Sequence, residues 1–145
     1  MRYTSGHCGR VFYLLIEHEE DLIKCMYSFV KEKEIQAGYF HMIGALRNAH
    51  LVTGPCEDRI PAVPHTEQVV MAHELIGTGF IRTGDDGPAI HIHSSVGRRN
   101  HAMTGCLRDN AEAFLLIEVM IIECVGMVIP LAYNPDADMM LPYPE

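Results

Sequence analysis

The sequence predicts an α+β fold: a mostly antiparallel, curved sheet of seven or eight strands with one main helix packed on one face. Three observations point there. Only one stretch, Glu19 to about Ile35, repeats apolar residues at helical spacing. Elsewhere the chain breaks into short runs of branched, aromatic and other apolar residues, bounded by Gly, Pro, Asp and Asn. The turns between runs are short, which favours antiparallel pairing with the helix covering one side.

Taken in order, Val11 to Glu17 is continuously apolar until its acidic end, as expected of a strand buried on both faces or at a subunit contact. The helix follows. Leu22, Ile23, Met26, Phe29 and Val30 form its apolar side, acidic residues open it, and Gly38 comes shortly after its end. Tyr39 to Ile43 and Asn48 to Val52 read as strands joined around Gly44-Ala45. Thr53 to Pro64, with a glycine, three prolines and several charges, reads as a loop. Val69 to Arg82 reads as a long strand or a bent pair, with Gly77 and Gly79 marking a bulge or sharp twist. Gly84-Asp85-Asp86-Gly87 is a predicted turn into a hairpin with the next strand. Met103 to Leu107, Phe114 to Cys124 and Met127 to Ala132 complete the set, separated by Arg108-Asp109-Asn110 and by Gly126. The whole chain, 1–145, is expected to be one domain with its core at about 9–133 and an irregular surface tail at 134–145.

Composition narrows the function classes. Hydrophobic residues at 48% and charged residues at 21% belong to a folded chain that stays in water. A formal charge of -8 would repel a phosphate backbone, and only Arg98-Arg99 looks like the start of a basic patch, so DNA is disfavoured as a partner. Five scattered cysteines, with no CxxC pair and no basic-then-apolar opening segment, predict a cytoplasmic protein. Ala113 to Ile122, the longest apolar stretch, is interrupted by Glu118 and far shorter than the roughly 20 residues a membrane helix needs.

The most informative motif is Ile90-His91-Ile92-His93, followed after a short turn by Thr104-Gly105-Cys106-Leu107. In a strand, residues two apart share a face and lie roughly 6.5 Å apart. His91 and His93 would therefore stand together opposite Ile90 and Ile92. Two imidazoles so placed can converge on a transition metal, zinc foremost, and a thiolate from the next strand can complete a three-donor set. His101, in the intervening turn, is the alternative third donor. Three protein donors leave a position open for water, an anion or a small oxygen-bearing ligand. Glu74, Glu118 and His101 are the candidates for a neighbouring base or proton shuttle, with no catalytic role assigned. Glu118 lies in an apolar run, where it needs a partner; an ion pair with Arg82 or Arg108 is the structural alternative. His41, His65 and His73 are expected in structural positions and the nine methionines in core or interface packing, with docking on a neighbouring subunit the alternative for Met139-Met140-Leu141.

The order of motifs resembles the plants-and-prokaryotes conserved (PPC) domain family in its stand-alone prokaryotic form. The landmarks are Gly9-Arg10-Val11-Phe12, Gly38 to Leu46, Glu74 to Gly79, Pro88 to His93, Thr104 to Leu107 and Glu118-Val119, together spanning roughly residues 9 to 125. The resemblance implies a compact α+β subunit, a homotrimer, and in some prokaryotic relatives a metal or small-molecule site near a subunit boundary. In those relatives the third ligand is a histidine in a Gly-Gly-His-Leu stretch, where this chain has Thr104-Gly105-Cys106-Leu107. A thiolate is a good zinc ligand, but it shifts the charge of the site by about one unit and lengthens the bond from roughly 2.0 to 2.3 Å. Plant members carry an AT-hook before the domain. Met1 to Gly9 hold one basic side chain and no such element, so the DNA role of those relatives is not expected to transfer, and a DNA- or protein-binding regulatory module stands as the alternative function.

Overall fold

The computed structural model describes residues 1–84 and 87–144, so the central pair of the expected Gly84–Gly87 turn lies outside the described residues. In chain order the elements are β1 (His7–Glu17), α1 (Leu22–Glu32), β2 (Gly38–Arg47), β3 (Ala49–Pro55), β4 (Pro64–Val69), β5 (His73–Gly84), β6 (Gly87–Arg98), β7 (His101–Leu107), β8 (Glu112–Val125), β9 (Leu131–Asn134) and β10 (Met139–Pro142). The first eight strands form one sheet in the order β1-β8-β2-β5-β6-β7-β3-β4, antiparallel at every pairing. The α+β prediction is met, with helix α1 on one face.

The helix is shorter than its apolar period suggested, for reasons visible at both ends. Asp21 is extended rather than helical and caps the helix, its carboxylate accepting the Lys24 N–H at 2.9 Å. Glu34 adopts a left-handed φ of 54°, and the Ile35 N–H turns back to donate to the Val30 carbonyl. Between them Leu22, Met26 and Val30 have no exposed surface and share one core with Phe40, Met42, Leu75, Ile92, Val96 and Ile121. Burying side chains of this size stabilises the fold by about 1.5–3 kcal/mol each.

Several expected boundaries move. The first strand begins at His7 and is buried on one face only, since Val11, Tyr13 and Leu15 stay exposed while Ile16 is buried. Strand β2 runs through Gly44-Ala45 to Arg47, absorbing the irregularity as a register shift against β8, and the break falls at Asn48, where φ is 55°. The Val69–Arg82 run divides at residues 70–72, and the β5 ladder passes Gly77 and Gly79 without a bulge. These two glycines serve instead for close approach. A Cβ on Gly77 would collide with the Met42 side chain, and one on Gly79 with the Phe40 ring and the His91 carbonyl. Finally, the expected strand at 127–132 starts only at Leu131, and the tail is not irregular. Residues Leu131–Asn134 and Met139–Pro142 pair as a hairpin, closed where Asn134 accepts the Asp136 and Ala137 N–H groups and Tyr133 donates to Asp138 at 2.7 Å. Among the described residues no helix is long and apolar enough to cross a membrane.

Gly9-Arg10 occupies the irregularity between Cys8 and Val11 in the β1–β8 ladder. There the Glu123 carboxylate accepts the Arg10 N–H at 3.1 Å, and two guanidinium contacts at 2.8 and 2.7 Å, while the guanidinium also donates to the Lys33 carbonyl behind the helix. The arginine thus ties the edge strand, β8 and the helix end together. Its hydrogen bonds hold Glu123 down at about 2. A carboxylate depressed in the folded state contributes stability above its unfolded pKa of about 4.3 that is lost as pH falls through the folded value. Glu123→Gln should therefore lower Tm by about 3 °C at pH 7, the pair being partly exposed, and the gap to wild type should shrink between about pH 4 and pH 2 in thermal unfolding followed by circular dichroism.

Candidate metal centre

Pairing of three neighbouring strands assembles the centre. His93 of β6 lies opposite Thr78 of β5 on one side and Cys106 of β7 on the other, and His91 is two residues back on the same face. The alternation that sends Ile92 into the core, 3% exposed, sends both histidines outward. One ligand atom from each of His91, His93 and Cys106 lies within 4.8 Å of the others. The two imidazoles sit edge to face, their centroids 4.9 Å apart and their planes at 79°.

Three atoms so spaced share a centre within about 2.8 Å, against zinc bond lengths of about 2.0–2.1 Å to nitrogen and 2.3 Å to sulfur, so side-chain shifts under about 1 Å close the set. Burial and charge leave the imidazole at this centre free to donate, while the guanidinium groups beside it call for a negative donor or ligand to balance a cation. Burial holds His91 below the ordinary imidazole range, helped by the positive neighbours His93, Arg82 and Arg108, which leaves the ring neutral with a lone pair to give. Burial pushes the Cys106 thiol up, with Arg108 pulling the other way, so without a cation it stays protonated at neutral pH.

Of the other candidate site residues, none joins this group. His101 pairs with Arg98 at the tip of the β6–β7 hairpin, five register steps from the His93–Cys106 pair, or roughly 16 Å along the strands. Within one chain it does not reach the group that His91, His93 and Cys106 form. Glu74 pairs with Gly97 four steps along β5 and is exposed. Glu118 lies on β8, with β2 and β5 between it and β6, and accepts a hydrogen bond from the Tyr13 hydroxyl at 2.6 Å. The partner expected for it was an arginine; the structure supplies a tyrosine, whose own pKa that bond raises.

The arginines are elsewhere, beside the centre. Arg82 sits on β5 opposite Ala89, and Arg108 follows β7 at the place where the ladder, continued one step on the same face, meets His91. Both line a cavity of about 360 Å³ with His91 on one wall and Leu131, Met139 and Leu141 of the C-terminal hairpin on another. Sequence reasoning weighed these arginines only as partners of Glu118. The signal available was the spacing of Arg108, two residues beyond Cys106 and therefore on its face. Met139-Met140-Leu141 lines this cavity within its own chain.

A donor triad on the open face of a single-helix, eight-stranded antiparallel sheet defines a small α+β domain with a metal-compatible centre. The chain belongs to the Plants and Prokaryotes Conserved (PCC) domain family, whose model matches residues 3–125. Among solved structures it is similar to a metal-containing protein from Archaeoglobus fulgidus, with a TM-score of 0.86 at 22% identity over 99% of both chains. It is similar too to a plant- and prokaryote-conserved protein from Pyrococcus horikoshii, with a TM-score of 0.84 at 20% identity over 100% of this chain and 99% of the other. A protein from Bacteroides thetaiotaomicron, provisionally named DNA-binding, gives a TM-score of 0.75 at 25% identity over 99% of this chain and 98% of the other. No curated protein matches the chain.

The five cysteines, all free, provide a chemical check on the centre. In chelator at pH 7.5, iodoacetamide should modify Cys106, buried and protonated, at least about tenfold more slowly than exposed Cys8 and Cys56, as read by peptide mass spectrometry.

Proposed function

We propose that this protein binds zinc or a similar divalent transition ion through His91, His93 and Cys106, as a cytoplasmic homotrimer whose centre presents an open position to a small ligand. The observation that carries the proposal is the convergence of three donor atoms within 4.8 Å on adjacent strands. The neutral state of His91 supports it, as does the fold shared with a metal-containing relative. Bound zinc would supply Lewis acidity toward an oxygen-bearing ligand at the position that three protein donors leave open. The chain's own residues would orient that ligand and shield it, through the arginines and the hairpin beside His91.

The exposed apolar surface supports assembly. Val11 at 61%, Tyr13 at 58%, Ile43 at 46% and Ile76 at 62% exposure stand on the sheet face opposite the helix, the face that also bears the histidines. Covering it with further copies places the centre near a subunit boundary. The free state of all five cysteines supports a reducing compartment.

A DNA-binding regulatory module is the second reading, favoured by the provisional names of two fold relatives. The charge of -8 weighs against it. Retention on duplex DNA that falls steeply between 50 and 200 mM salt would support it over the metal reading.

Elemental analysis of tag-free protein decides the first proposal. Wild type should carry about one zinc per chain, absent from His91→Ala/His93→Ala and reduced at least about tenfold in affinity in Cys106→Ala. Wild-type protein that arrives metal-free and does not reload would overturn it. Sedimentation should give three times the 16.3 kDa of one chain, and a monomer would remove the assembly from the proposal.

A further inference from the structure

We infer that the cavity between the centre and the C-terminal hairpin takes a small organic anion, its oxyanion head held by Arg82 and Arg108 and its apolar body against Leu131, Met139 and Leu141. The inference deepens the metal proposal and rests on it for the role of His91 at the edge of the cavity.

Charge is the first support. Two guanidinium groups line one cavity, and among the described residues neither has a carboxylate within ion-pair distance and no acidic side chain joins the lining. Among the described residues, Glu19, Glu57, Glu112 and Glu123 pair with arginines elsewhere. Arg10, Arg47 and Arg59 are paired with glutamates, while Arg82 and Arg108 are left facing the cavity. Like charges gathered in a partly dry pocket are unfavourable until an anion is placed between them. Arg82 adds a specific vacancy: its Nε is buried and has no hydrogen-bond partner among the described residues, although such groups are normally satisfied. A planar guanidinium with an unused edge fits a carboxylate or phosphate oxygen.

Shape and lining choose among anions. The volume of about 360 Å³ exceeds what an inorganic ion fills, and falls in the range of small-ligand sites. The hairpin wall is aliphatic and thioether, which rewards an apolar body rather than a second charge. A head placed between the arginines also lies beside His91, the donor that borders the cavity. The protein's overall charge of -8 makes this a local device: anions are repelled by the molecule as a whole and admitted here.

Calorimetry on the tag-free chain of residues 1–145 tests it, with hexanoate as probe, hexan-1-ol as its uncharged counterpart and inorganic phosphate as a head without a body. Each is titrated into zinc-loaded and chelated protein, in wild type, Arg82→Gln, Arg108→Gln and Arg108→Lys. Hexanoate should bind once per chain, with hexanol and phosphate each at least about tenfold weaker; either Arg→Gln change should cost about 10- to 100-fold, partly restored by Arg108→Lys. Arg108 is exposed, so its variants keep the test open if Arg82→Gln does not fold. Hexanoate no tighter than hexanol, or indifferent to both arginines, overturns the inference; phosphate as tight as hexanoate overturns the apolar half of it. Zinc content measured on the same samples separates the two proposals. Normal zinc without hexanoate binding sinks the anion site alone, and arginine-dependent hexanoate binding without zinc sinks the metal centre alone.

Discussion

Everything described here depends on the register that sets Thr78, His93 and Cys106 in one row across β5, β6 and β7. A strand exposes alternate residues to opposite faces, so this one alignment places Ile92 and Val96 in the core and the donor atoms on the other side. A slip of one residue would send imidazoles into the core and isoleucines into the centre, at a cost in buried apolar area that no side-chain adjustment recovers. The stability of the fold and the geometry of the site are thus enforced by the same hydrogen bonds. The glycines of β5 extend the link inward, since the Phe40 ring packs on the bare backbone of Gly79 and against the strand that carries His91.

How much of this was legible in the sequence varied with how local the information was. The helix, the alternation of Ile90 to His93 and the return of Cys106 on the next strand depend on neighbours a few residues apart, and these were readable. Strand β4 was not, because it is an edge strand that is almost wholly solvated; Pro64, His65, Thr66, Glu67 and Gln68 carry no apolar alternation, and only Val69 is buried. The closing hairpin was hidden by its brevity, four residues a side, and by prolines at its borders that read as irregular chain. The partner of Glu118 could not be guessed because Tyr13 is 105 residues away and meets it only through the β1–β8 ladder. Spacing likewise left His101 open as an alternative donor, and it is the extended hairpin that carries it to the far tip of its own chain.

The electrostatic picture is one of contrast. Three arginines, Arg10, Arg47 and Arg59, are spent on surface ion pairs, as where Arg10 clamps Glu123 and the Lys33 carbonyl or Arg47 pairs with Glu19 and Glu112. Such pairs at a wet surface are worth little individually, but they consume the charge that would otherwise define binding surfaces. Beside His91 the lining charge is positive and without an acidic neighbour, on a molecule that is negative overall.

The C-terminal hairpin has a significance of its own. The family model ends at residue 125, and the hairpin pairs only with itself, apart from the eight-stranded sheet and its core. The donors and the arginines lie within the residues that the family model matches, while the wall that shapes the cavity lies beyond them. Because the hairpin's ladder is separate from that of the sheet, a substitution at 131–142 can reshape the cavity wall without breaking a single hydrogen bond of the eight-stranded ladder.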